Sequence, residues 1–219
     1  MSNAEYFKEH HYTVIKGIIP QEICNVATKY ALLKMETEFN PEDVRTGQIP
    51  GTHSIYSDTL METLMHFMLP HMEAATGLEL CPTYTYYRVY KAGDELLRHK
   101  DRESCEISTT VCFGFNYLSD DSNYRWPIFV DEKSVSVSTK NGFVSANNPG
   151  VSVSMEPGDA VVYRGCEVEH WREKFDVKEG SYHVQAFLHY IDKNGPYYPE
   201  FAFDGRKGIG YKKDYTYTK

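Results

Sequence analysis

The chain has 219 residues, enough for one well-filled core, and its 18 Tyr and 11 Phe argue against disorder and for a β-rich fold with a lined pocket. A net charge of −8 argues against a nucleic-acid partner or an anionic membrane surface, no run has the length of a transmembrane helix, and the start lacks a basic-then-apolar signal pattern. Cys24, Cys81, Cys105, Cys112 and Cys166 are odd in number and scattered, which excludes a disulfide framework or zinc ribbon and fits reduced thiols in a cytoplasmic protein.

In chain order, residues 12–16 read as a short strand. Pro20 suits the first position of a helix with an apolar stripe of Ile23, Val26, Ala27, Tyr30 and Leu33. Residues 39–56 are polar and turn-rich. A second helix starts near Ser57-Asp58-Thr59, with Thr59 and Glu62 as a capping box and Gly77 as its stop. Its buried face is Leu60, Leu64, Phe67 or Met68, and Met72, and Pro70 kinks or divides it. His66 and His71, five apart, do not share a face and read as ordinary helix residues, while Met61, Met65, Met68 and Met72 read as packing.

From Tyr84 onward the pattern turns to short strands at 84–91, 108–118, 128–130, 135–138, 151–154, 160–163 and 182–191, separated by Gly, Pro, Asn and Asp. Helices first and strands afterwards imply an α+β fold: a double-stranded β-helix (jelly-roll, cupin-like) core with N-terminal helices packed on it. The whole reads as a single domain, residues 1–219, with a helical part at about 12–80, a β-helix core at about 82–192 and a Tyr-, Gly- and Lys-rich tail at 193–219. That tail is either mobile or a flap over the barrel mouth.

The chemistry concentrates in His99-Lys100-Asp101 and the distant His170. Two imidazoles and one carboxylate can occupy one face of an octahedral Fe(II) ion and leave the other face open. On a strand, residues i and i+2 share a face, so His99 and Asp101 can converge on one ion, with His170 folded in from another strand. The triplet alone is weak evidence; its surroundings strengthen it. Glu167 and Glu169 are rival ligands, but their offsets from His170 turn them away, which makes them solvated rim charges.

Tyr90 and Gly93 precede His99, residues 14–20 look like an opening strand and helix, residues 116–120 read Asn-Tyr-Leu-Ser-Asp, and residues 157–163 read Pro-Gly-Asp-Ala-Val-Val-Tyr. In these features the chain, from about Val14 to Tyr190, resembles the 2-oxoglutarate- and Fe(II)-dependent oxygenases, particularly the prolyl 4-hydroxylase-like branch. The resemblance implies His99, Asp101 and His170 as iron ligands. It implies Fe(II), 2-oxoglutarate and O2 as cofactor and cosubstrates, with ascorbate as a further reductant. The implied activity couples oxidative decarboxylation of 2-oxoglutarate to hydroxylation of a peptide, protein, free amino acid such as proline, or other small molecule. Tyr90 and Tyr117 match positions that give hydroxyls to 2-oxoglutarate.

The chain departs from that pattern twice. Where a basic residue is called for after the distal histidine stands Glu179-Gly180-Ser181. Counting back from residues 188–192 puts the position on His183, which shares a strand face with Gln185, Phe187 and His189. A protonated His183 is then the partner of the far carboxylate, with Arg88, on the face of Tyr90, as the other cation; a pair of hydrogen-bonded core histidines is the plain reading of His183 and His189. Secondly, Trp126 stands where a Gly-Gly pair is usual and reshapes the substrate side. Trp126, Trp171 and Tyr197-Tyr198 are expected at the pocket rim. Two other classes stay open: a cupin-type metalloprotein without oxygenase activity, such as an isomerase or hydrolase, and a metal-free binding module. Substrate and oligomeric state are not legible in the sequence.

Overall fold

A computed structural model describes residues 1–38, 48–136, 144–203, 205 and 209. In chain order the elements are α1 (Asn3–His10), β1 (Tyr12–Ile15), α2 (Gln21–Glu38), β2 (His53–Tyr56), α3 (Thr59–Thr76), β3 (Leu80–Lys91), β4 (Leu96–His99), β5 (Ile107–Asn116), β6 (Ile128–Asp131), β7 (Val151–Val153), β8 (Ala160–Tyr163), β9 (Glu169–Arg172) and β10 (Tyr182–Asp192). One sheet has the order β1-β8-β5-β10-β3-β2 and the other β4-β9-β6-β7. From β3 to β10 the chain passes repeatedly between the two antiparallel sheets, which is the connectivity of a jelly-roll double-stranded β-helix. The long pair β3 and β10 forms its spine, with Gln185 opposite Arg88 and His183 opposite Tyr90. Their inward side chains therefore stack in shared layers.

α2 and α3 cover the outside of the larger sheet. Met61, Leu64, Met65, Met68 and Met72 of α3 are buried, so the methionines pack as expected, and Phe67 points to solvent. Asp58 caps this helix by accepting from the amides of Leu60 and Met61, so the expected Thr59–Glu62 box does not form. α3 also runs through Pro70 undivided; Pro70 is exposed, so water reaches the carbonyl that loses its donor. Gly77 ends it in the left-handed conformation. On α2 the buried residues are Cys24, Ala27 and Ala31, while Val26 and Leu33 face solvent, against the expected stripe. The small residues allow close approach to β5: a Cβ on Gly114 would lie 2.5 Å from Thr28 Oγ1.

Three elements escape the pattern reading. α1 is opened by a Ser2–Glu5 capping box and buries Phe7. β2 pairs with β3 inside the segment read as turns. β4 carries His99 itself. The strand expected at 135–138 is a 3₁₀ turn, Glu132–Ser136, as far as it lies within the described residues. Part of the tail also lies outside them; within them, Ile209 packs against the core and its amide donates to Glu62. Among the described residues no helix is long and apolar enough to cross a membrane.

Candidate metal centre

His99, Asp101 and His170 come together, with their ligand atoms within 4.8 Å of one another. Both imidazoles present Nε2 to Asp101 Oδ1, each at 3.5 Å. His99 Nδ1 donates to the Leu97 carbonyl at 2.8 Å and His170 Nδ1 to that of Val168 at 3.2 Å. A carbonyl only accepts, so the proton sits on Nδ1 and the Nε2 lone pair is free for a metal. Burial raises the Asp101 carboxyl, but the positive charge beside it, a proton on the imidazoles or a metal in its place, outweighs this and holds it well below the usual carboxylate range.

The convergence owes less to strand alternation than the sequence suggests. β4 and β9 pair Leu96 with Arg172 and His99 with His170, three residues on one strand against two on the other. This one-residue bulge turns His99 inward alongside Leu96. Asp101 lies past the end of β4, where its amide donates to the Gly165 carbonyl at 2.8 Å. A Cβ on Gly165 would lie 2.6 Å from Asp101 Oδ2 and 2.4 Å from the Cys105 carbonyl, so only glycine fits there.

Asp101, Cys105 and His189 also cluster within ligand reach. Burial, with Asp101 beside it, pushes the Cys105 thiol well up, and a neutral thiol is a poor ligand. His189 is pushed down to about 4, chiefly by burial, and its Nδ1 lies 2.9 Å from Ser108 Oγ, which donates to Asp101 Oδ2 at 2.8 Å. This cluster supports Asp101 from behind.

The rivals point elsewhere, as their offsets require. Glu169, however, is no solvated rim charge: it is fully buried on the outer face of β9, paired with Arg98 at 3.0 Å and accepting from Ser145 and the Ala146 amide. Arg98 also reaches Asp131 of β6, so one outer network joins the strands that carry the two histidines. Trp171 packs outside the barrel, stacked on Phe129 with the Arg98 guanidinium 3.5 Å from its ring centre.

The metal set lines a cavity of about 310 Å³ together with Tyr56, Tyr84, Tyr86, Phe187, Gln48 and Arg88. None of the residues expected at the rim, Trp126, Trp171, Tyr197 and Tyr198, lines it. Trp126 is instead interior, edge-on to Tyr90 and stacked on Phe175, its indole donating to the Glu173 carbonyl. A turn residue replaced by Trp buries its ring wherever apolar neighbours are open to it, and here that is the core.

Deeper in the barrel, His183 is fully buried, with Nδ1 2.7 Å from the Tyr117 hydroxyl and Nε2 3.2 Å from Gln185 Oε1. Burial and the neighbouring Arg172 hold its pKa well below the ordinary histidine value in the unliganded site, so the expected protonated form would have to come with the bound carboxylate. The cation stands on β9 instead. Arg172 is fully buried, donates from Nη2 to Gln185 Oε1 at 2.6 Å and from Nη1 to the Trp126 carbonyl, and lies 3.5 Å from His183 Nε2. The i, i+2 rule that joins His99 to Asp101 puts Arg172 on the inward face with His170, so the signal was in the sequence. Arg88, 1% exposed, is the second interior guanidinium; it donates to Tyr90, Gln48 and Tyr86 over 3.3–3.4 Å. Nε of both arginines and Nε2 of Gln185 have no partner. Arginines such as Arg98, Arg125 and Arg164 pair with carboxylates; the partners of Arg88 and Arg172 are hydroxyls, amide and carbonyl oxygens and a thioether. Orphan buried donors on cations without a carboxylate fit a dicarboxylate cosubstrate, and two imidazole nitrogens with one ionised carboxylate fit Fe(II).

No protein-family model and no curated protein match this sequence. Solved structures do match the fold. The epimerase SnoN from nogalamycin biosynthesis, described as non-heme alpha ketoglutarate dependent, aligns over 99% of this chain and 91% of its own with a TM-score of 0.70 at 14% identity. A Pseudomonas putida prolyl-4-hydroxylase aligns over 86% and 96% with a TM-score of 0.61 at 14% identity. HygX from Streptomyces hygroscopicus, solved with nickel and 2-oxoglutarate bound, aligns over 89% and 88% with a TM-score of 0.60 at 14% identity. The chain thus has the jelly-roll fold of the 2-oxoglutarate-dependent oxygenases.

Proposed function

We propose that this protein is an Fe(II)- and 2-oxoglutarate-dependent dioxygenase that hydroxylates a small molecule or an amino acid. The observation that carries this reading is the convergence of two Nε2 lone pairs and one carboxylate on the wall of a cavity that has a carboxylate-free guanidinium in its lining and another beyond it. Bound iron and 2-oxoglutarate would supply the oxidising chemistry with O2, and ascorbate is expected to sustain it. The chain's own task is to hold His99, Asp101 and His170 on one side of the ion and to leave the other side open.

Arg172 takes the far carboxylate of 2-oxoglutarate in this reading. Its guanidinium lies against His183, the strand position where the resemblance calls for a base, with the Tyr117 hydroxyl beside it. Gln185 Oε1, accepting from Arg172 at 2.6 Å, stands where a carboxylate oxygen would sit, so rotation of that amide opens the place. A bidentate guanidinium suits a carboxylate better than an imidazole does. The five free cysteines are consistent with a reducing, cytoplasmic setting.

Fe(II)-dependent release of succinate from 2-oxoglutarate, lost in Asp101→Ala, tests the proposal. A protein that binds metal without releasing succinate under a substrate panel would be a cupin-type metalloprotein, and one that binds no metal would be a binding module. Full turnover in Asp101→Ala would refute the ligand assignment.

A further inference from the structure

This inference rests on the oxygenase reading and gives it a substrate class. Neither buried guanidinium near the metal set has a carboxylate in hydrogen-bond contact; Asp94, whose charge reaches Arg88, is held instead by Thr52 and the Lys91 amide. Asp101 and the chelating carboxylate offset the divalent metal, and the far carboxylate offsets one guanidinium. Two are essentially without solvent exposure, Arg88 and Arg172, whereas Lys100 and Arg102, which also line the cavity, keep part of their surface in water. A buried cation left without a counter-charge is unfavourable, so the second calls for another anion.

Arg88 is the one on the open side. It lines the cavity with His99 and His170, whereas Arg172 lies behind it, beyond Tyr90. Its present contacts are poor: three hydrogen bonds of 3.3–3.4 Å, an unpartnered Nε, and the faces of Tyr86, Tyr90 and Phe187 at 5.2–5.9 Å. Gln48 links this cation to the metal set. Its Oε1 accepts from Arg88 Nη2, its Nε2 lies 3.2 Å from His99 Nε2, and it is exposed to solvent. Next to it, Ile49 is buried in the cluster of Tyr90, Leu96 and Phe187, which fixes the amide over the cavity. Among the described residues lining that cavity, Asp101 is the sole carboxylate.

We propose that Arg88, with the Tyr86 hydroxyl and the Gln48 amide, binds a carboxylate of the substrate, and that the substrate is therefore a small carboxylic acid, such as a free amino acid, oxidised at a carbon near its acid group. The cavity supports the size limit: about 310 Å³ must hold 2-oxoglutarate as well, at the lower end of the range for ligand pockets. A guanidinium also reads the planar acid by two parallel bonds, which a neutral amide or ester of the same compound cannot accept in charged form.

The test uses the full chain loaded with Mn(II) and saturated with 2-oxoglutarate, with acetate and its neutral analogue acetamide as probes. The readout is the relaxation of the probe's methyl protons by the paramagnetic ion. Acetate should show a saturable effect, acetamide none; Arg88→Gln should weaken acetate binding by about tenfold or more, and Arg88→Lys should recover part of it. Arg88→Gln should still bind 2-oxoglutarate within about threefold of wild type, since its partner is Arg172. No saturable acetate effect, or one that survives Arg88→Gln unchanged, overturns the proposal. Loss of 2-oxoglutarate binding in Arg88→Gln also overturns it, by making Arg88 the cosubstrate's own anchor. If wild type fails to bind 2-oxoglutarate, the oxygenase reading falls, and the acetate titration of the Mn(II) protein alone still decides the role of Arg88.

Discussion

Replacing Arg172 with Met separates binding from folding. Taking away one member of a buried charge pair costs about 3–5 kcal/mol, because the partner is left buried and unpaired. For 2-oxoglutarate on the metal-loaded protein that is a rise in Kd of roughly 150- to 5,000-fold. At a concentration of about 100 times the wild-type Kd, ligand stabilises the folded state by about 2.7 kcal/mol. For a chain of this size that raises Tm by roughly 5–11 °C. In Arg172→Met the same concentration should give a rise of about 1 °C or less.

The unliganded variant should behave differently. Removing the guanidinium strands the Trp126 carbonyl, at about 1–3 kcal/mol, while Gln185 Oε1 keeps His183 Nε2 as its donor. It also removes a buried cation that has no carboxylate among the described residues, and replacing such charges by apolar groups often stabilises by about 1–4 kcal/mol. The two effects oppose, so the apo Tm should move by no more than about 5 °C. Adding His183→Arg returns a guanidinium next to the vacated place, since His183 Nε2 lies 3.5 Å from Arg172, and should restore at least about tenfold in affinity. Differential scanning fluorimetry and calorimetric titration with Mn(II) and 2-oxoglutarate read all three outcomes. An affinity within about threefold of wild type in Arg172→Met would falsify the anchor assignment.

Other outcomes follow from the same geometry. Gly165→Ala should push Asp101 off its position and weaken Mn(II) binding by about tenfold or more in a metal titration, because the new Cβ would lie 2.6 Å from Oδ2. His189, at about 4 in the fold against about 6.5 unfolded, makes the unfolded chain bind the extra proton first; the stability its neutral form brings is complete above pH 6.5 and falls by up to about 3 kcal/mol as pH drops to 4. Urea titrations at pH 7.5 and 4.5 should show that loss in the metal-free protein and a smaller one in His189→Gln. Glu169→Ala should cost about 3 kcal/mol, or a Tm drop of roughly 6–12 °C, since it takes the nearer of Arg98's two carboxylates and leaves the Ala146 amide unpaired; an unchanged Tm would dismiss the outer network as a brace.

What the sequence made legible is what depends on local rules. The spacing of His99 and Asp101, the Pro-Gly-Asp turn before β8 and the alternation along β10 each follow from chain geometry over a few residues. The ladder pairing of β3 with β10 then places Tyr90 beside His183 and Arg88 beside Gln185. The bulge in β4 was not legible, because it is a property of a pairing between segments about 70 residues apart. Nor was the burial of Trp126, which depends on Phe175 and Tyr90 leaving room for the ring. α1 was legible in principle: Ser2 and Glu5 have the capping-box spacing that was sought at Thr59. Arg172 was equally within reach of the two-residue rule. A count of nine to eleven residues after His170 passes over it, because that count follows the chain while the site is built across strands.

That difference explains why the position of a cation can change while its site stays put. Inward residues of β9 and β10 face the same barrel interior from opposite sheets, and an arginine side chain is long enough to cross between them. With Arg172 supplied from β9, a second charge at residue 183 would be repelled, and the neutral imidazole there accepts from Tyr117 at Nδ1 and donates from Nε2 to Gln185 Oε1. The cost is borne by the resting fold, which encloses two cations that hydrogen-bond no carboxylate among the described residues and leaves donors of Arg88, Arg172 and Gln185 without partners. A jelly-roll needs no such groups to close its core, and residues of similar volume without charge would pack it at lower free energy. Polar groups buried at a loss in stability mark the place where a ligand restores the balance. In this barrel they lie beside His99, Asp101 and His170, a cluster able to hold an open-faced metal.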